Sequence, residues 1–160
     1  MKRSCLALLI ASLLSACAVK QPLQRPHFPE HEYSALEKQG TSTVTGQAFL
    51  KTRGGDVKTA AGSPVLLNPV TSYSKFAYEN RFAPGGLTPI DPRLNDYLRK
   101  TTADASGRFS FKNIPAGYYF VTTSVTWEAP TGAGLVRQGG ILWKQVEVGN
   151  DEVEEIIITQ

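Results

Sequence analysis

Thr102-Ala103-Asp104-Ala105-Ser106-Gly107-Arg108-Phe109-Ser110-Phe111, followed after Lys112 by Asn113-Ile114-Pro115-Ala116-Gly117-Tyr118-Tyr119, decides the fold. Asp104 has a short carboxylate that accepts backbone N–H bonds within a turn, and Gly107 supplies the positive φ at which a hairpin reverses. Phe109 and Phe111 are two residues apart, so on a strand they share one face and enter the core together. Pro115 and Gly117 make a second tight turn.

Strand signals continue on both sides. Thr43 to Phe49 alternates and is β-branched at its start. A turn at Gly54-Gly55-Asp56 follows, then Gly62-Ser63-Pro64 opens Val65-Leu66-Leu67-Asn68-Pro69-Val70, a short strand ended or bulged at Pro69. Tyr118 to Trp127 is the longest candidate, rich in aromatic and β-branched residues. Ile141 to Val148 and Val153 to Thr159 complete six or seven short strands divided by turn signals, the pattern of an antiparallel sandwich.

The Asp104–Tyr119 block resembles the carboxypeptidase regulatory-like family, whose members share T-x-x-D-x-x-G-x-F-x-F and then apolar-Pro-x-Gly-x-Tyr. Asp104, Gly107, Phe109, Phe111, Pro115, Gly117 and Tyr119 carry the match, and Gly62-Ser63-Pro64-Val65 fits an earlier G-x-P-V segment. The resemblance runs from about Thr43 to Gln160. It implies an all-β domain over residues 41–160, a seven-stranded antiparallel transthyretin-like (prealbumin-like) sandwich, with Tyr119 as the buried tyrosine of a sandwich corner. It brings no catalytic group. The family name describes an appendage of a peptidase, and this chain holds no peptidase domain.

Residues 75–100 break the strand rhythm. Phe76 to Phe82 is aromatic and charged, and Ala83-Pro84-Gly85-Gly86 is a loop. The stretch from Pro92 to Lys100 reads as a short helix, with Asp91 as N-cap, Pro92 at the first position and Leu94, Tyr97 and Leu98 on one face. So long an insertion either carries function or caps one open end of the core.

The N-terminus sets an expectation of place. Lys2-Arg3, the uncharged run Leu6 to Leu14 and the small residues Ser15-Ala16 have the layout of a secretory signal over residues 1–16. The apolar run is shorter than the roughly 20 residues of a membrane span. Leu14-Ser15-Ala16-Cys17 resembles the lipobox of bacterial lipoproteins, which implies lipid on Cys17 and anchoring by two or three acyl chains. Ala18, where an aspartate is the usual inner-membrane retention cue, resembles the outer-membrane class facing the periplasm. Residues 17–40, punctuated by Pro22, Pro26 and Pro29, read as a stiff spacer.

Composition narrows the function. Without residues 1–16 the chain keeps 144 residues, and its 15 basic side chains nearly balance 14 acidic ones. That near-neutrality excludes the basic stripe of a nucleic-acid binder. Cys5 leaves with the signal and Cys17 takes lipid, so no disulfide is expected. His27 and His31, with Glu30, have His-x3-His spacing, but they lie in the spacer without a third ligand, so no metal or other cofactor is expected. With no histidine or cysteine in the domain, triad chemistry lacks its usual base. Asp151-Glu152 and Glu154-Glu155 read as a solvated turn and an outward strand face. The expectation is a non-enzymatic envelope lipoprotein that presents an interaction module at the membrane to a partner the sequence does not name. Two alternatives stand beside it. One is a carbohydrate- or peptidoglycan-binding module using Trp127 and Trp143 with Tyr73, Tyr78 and Tyr97, about a hairpin tip bracketed by Gly132-Ala133-Gly134 and Gly139-Gly140. The other is a docking lipoprotein of a secretion apparatus, using the 75–100 insertion.

Overall fold

A computed structural model describes residues 20–132 and 134–159. The elements in chain order are α1 (Glu30–Ser34), β1 (Ser42–Lys51), β2 (Val57–Thr59), β3 (Pro64–Pro69), α2 (Ser72–Glu79), a 3₁₀ turn (Pro92–Asp96), β4 (Arg99–Thr102), β5 (Arg108–Ile114), β6 (Gly117–Thr131), β7 (Gly134–Val148) and β8 (Val153–Ile158). Strands dominate, as expected. One four-stranded sheet centres on β1, which pairs antiparallel with β2 and β5 and parallel with β8. The other runs β4-β3-β6-β7 and is antiparallel throughout.

Two expectations are corrected here. The described residues form eight strands, not seven, and one pair is parallel. β2 is three residues long, too short to show alternation. β4 lies where the helical pattern was extended to Lys100. The 3₁₀ turn closes at Tyr97, and the β-branched Thr101 and Thr102 then pair with Val65 and Pro64. β8 runs parallel to β1 because Gly149–Glu152 carries the chain from the second sheet to the first. Ser42 fixes that crossing: its hydroxyl donates to the Gly149 carbonyl at 2.6 Å and accepts from the Glu152 N–H at 3.1 Å.

The inner faces close over one core. Val44, Ala48, Phe109, Phe111 and Ile156 come from the first sheet, and Val65, Leu67, Val121, Leu142 and Val146 from the second. Each Val, Leu, Ile or Phe side chain among them contributes roughly 1.5–3 kcal/mol on burial. The turn block behaves as its residue types dictate. Asp104 Oδ1 accepts from the N–H groups of Ser106 (2.8 Å) and Arg108 (2.9 Å). Gly107 has φ +75°, and a Cβ there would lie 2.5 Å from the Ala48 carbonyl oxygen. Phe109 and Phe111 are both buried with centroids 6.0 Å apart, and the Tyr119 hydroxyl donates to the Pro115 carbonyl at 2.8 Å.

The spacer expected over residues 17–40 is corrected where it is described, from Lys20 onward. Leu23 bridges Leu87, its N–H donating to the Gly86 carbonyl at 2.9 Å. Tyr33 is wholly buried and builds a second apolar cluster with Tyr73 of α2 and Leu94 of the 3₁₀ turn, against which Phe28, Leu36 and Tyr97 pack. Phe28 stacks on Tyr33 at 4.4 Å. Glu32 accepts from the N–H and hydroxyl of Ser72, at 2.7 and 2.5 Å. The aromatic side chains of this segment bind it to the insertion. Cys17 and the signal lie outside the described residues. Among the described residues no helix is long and apolar enough to cross a membrane.

Candidate functional site

The outer face of the β4-β3-β6-β7 sheet is not left to solvent. Alternation puts Val65, Leu67 and Val121 in the core and turns Leu66, Asn68, Phe120 and Thr122 outward. Trp143 and Ile141 of β7 pair with Thr122 and Ser124, so they belong to the same outer face. Helix α2 lies over this surface. Its start is set by a capping box, in which the Thr71 side chain accepts from the Ser74 N–H and the Ser74 side chain from the Thr71 N–H. Tyr78, near its end, stacks on Phe120 with centroids 3.9 Å apart, and its hydroxyl pairs with the Thr122 hydroxyl. The insertion therefore roofs a sheet face instead of capping an end of the core.

Between sheet, α2 and the 87–98 loop lies a cleft of about 380 Å³. That volume falls within the range of small-molecule sites, which begins near 300 Å³. Its walls are mostly apolar, from residues such as Leu66, Tyr73, Ala77, Ile90 and Ile141, with a few polar groups placed among them. Asn68 is the most telling of these. It lines the cleft from β3 and is only 8% exposed, and its Oδ1 is buried without a hydrogen-bond partner. An unpaired buried acceptor costs about 1–3 kcal/mol; this one has almost no accessible surface, so a donor in the cleft reaches it only if the side chains around it shift. Burial pushes the Tyr78 phenol up, opposed in part by its bond to Thr122, so it stays neutral and able to exchange hydrogen bonds.

The structure divides the aromatic residues that the sequence grouped. Trp143 and Tyr78 meet in the cleft, with centroids 5.8 Å apart. Tyr73 and Tyr97 belong to the second apolar cluster, where Tyr73 also borders the cleft. Trp127 sits on the opposite, inner face of β6 and packs against the core, so it shares no platform with Trp143. Both tryptophans are half-buried, and the Trp143 ring is covered by the Arg81 guanidinium, 4.3 Å from its centroid. Nor do Gly139 and Gly140 bracket a hairpin tip. They lie inside β7, where Gly139 at φ +91° leaves room for the Trp127 ring; the turn itself is at Thr131–Gly134. His27 and His31 are exposed, and the Glu30 carboxylate beside them is held by Arg93. Asn68, Thr122, Arg25 and Arg81 were not singled out from sequence. Asn68 was visible as a lone polar residue inside an apolar strand; the other three join the site only through the fold.

The chain matches no protein-family model and no curated protein. Among solved structures it is similar to the Pseudomonas aeruginosa protein PA1324, for which carbohydrate binding has been proposed. The two are 32% identical, with a TM-score of 0.77, and the match covers 85% of this chain and 99% of that one. The chain belongs to the same family. Neither a carboxylate nor an imidazole lies among the described residues lining the cleft of the present chain.

Proposed function

We propose that this chain is a carbohydrate-binding protein of the cell envelope, with a transthyretin-like sandwich held to the outer membrane by lipid on Cys17 and facing the periplasm. The observation that carries the binding reading is the roofed, mostly apolar cleft lined by Trp143 and Tyr78, with Asn68 and Thr122 as polar groups in its wall. Sugars offer hydroxyl donors beside apolar C–H faces, which suits a few fixed polar atoms set in an apolar wall. Membership of the PA1324 family supports the same reading. The anchoring part rests on the Leu14-Ser15-Ala16-Cys17 lipobox.

Asn68→Leu separates binding from folding. Replacing an unsatisfied buried amide with an apolar side chain of similar size is neutral or stabilising for the fold. On a glycan array, the wild-type protein is expected to bind a defined set of oligosaccharides. The variant should lose at least tenfold in signal while melting at the same temperature or higher. A wild type that binds no glycan, or a folded variant that binds as well as wild type, would overturn the assignment.

A further inference from the structure

We propose that the sugar held in this cleft is anionic, its carboxylate, sulfate or phosphate received by Arg81 and Arg25. The inference rests on the carbohydrate reading above and adds the chemical class of the ligand.

Charge in the cleft walls is one-sided. The ionisable groups among the described lining residues are the guanidiniums of Arg25 and Arg81 and two tyrosine phenols, with no carboxylate to balance the cations. Neither arginine forms an ion pair with a described residue, whereas Arg93, just outside, is paired with both Asp91 and Glu30. The nearest acid on α2, Glu79, pairs with Lys75 at 4.0 Å. Both cleft arginines are instead held by neutral contacts. Arg81 lies over the rings of Trp143 (4.3 Å) and Phe82 (4.6 Å) and donates from Nη1 to the Tyr78 carbonyl at 2.5 Å. Arg25 donates from Nε to the Thr88 carbonyl at 2.7 Å and lies 5.8 Å from the Tyr73 centroid. A guanidinium has five N–H donors, so each keeps most of them for a ligand. Ring and carbonyl contacts orient the fork without neutralising its charge, and a planar fork matches the two oxygens of a carboxylate or phosphate. Because the chain without residues 1–16 is nearly neutral, the preference for an anion is local to this cleft.

The experiment is a glycan array carrying neutral, uronate-containing, sulfated and phosphorylated oligosaccharides, read with the wild type and Arg81→Gln at low and high salt. Arg81 is exposed, so the variant should melt with the wild type. The expected result is signal confined to anionic glycans, at least tenfold weaker in Arg81→Gln and falling with added salt, with the responding class naming the anionic group. Equal wild-type binding of neutral and anionic glycans, or undiminished binding by Arg81→Gln, would overturn this inference and leave carbohydrate binding intact. An array on which no glycan binds would overturn both.

Discussion

Gly107 meets two demands at one residue. Its φ of +75° is a region that side-chain-bearing residues rarely adopt, and the Ala48 carbonyl oxygen occupies the place of a Cβ at 2.5 Å. Gly107→Ala is expected to destabilise the protein by about 2–4 kcal/mol, combining backbone strain with displacement of β1 at Ala48. Chemical denaturation measures this directly, and an alanine variant within about 0.5 kcal/mol of wild type would contradict the assigned role. Asp104, Phe109, Phe111 and Tyr119 were legible from sequence for the same reason as Gly107: each acts within its own turn or strand. Arg81 was not. Its importance comes from lying over Trp143, 62 positions away in the chain, and no local pattern encodes that meeting.

The N-terminal segment and the insertion form one structural element pair, and acid should loosen it first. The Ser72 hydroxyl and N–H hold the Glu32 carboxyl below its usual range, and Arg93 holds Asp91 down at about 2, from 3.8. A carboxyl with a depressed folded pKa stabilises fully above its unfolded value and loses that contribution as pH falls through the folded one. Between about pH 4 and 2, therefore, residues 20–40 and 91–96 should exchange amide hydrogens faster while β1, β6 and β7 stay protected. Uniform loss of protection over the same window would contradict this. The segment misled sequence reading because its prolines are the mark of a spacer, whereas Phe28 and Tyr33 follow neither strand nor helix spacing. β2 and β4 were missed for want of length, and the parallel β8 because strand direction depends on a crossing between sheets.

For the whole molecule, the packed N-terminal segment brings the cleft close to the proposed anchor. Lys20 already lies against Gly85, and three extended residues from Cys17 reach at most about 11 Å. Lipid on Cys17 would thus hold the roofed sheet beside the bilayer. Cys17→Ser should move the protein from the membrane fraction to the soluble periplasm, and persistent membrane association would contradict lipid anchoring. The outer sheet face was the least legible level of all, because α2 and the loop that build it read only as an irregular insertion. The chain has two tryptophans, on opposite faces of the second sheet, and they report separately on cleft and core. The most direct measurement is therefore a titration, followed by NMR at the two indole N–H groups, with the oligosaccharide that binds best on the array. The account predicts that the Trp143 signal moves with saturation while Trp127 stays in place; binding that shifts Trp127 alone, or neither indole, would contradict it.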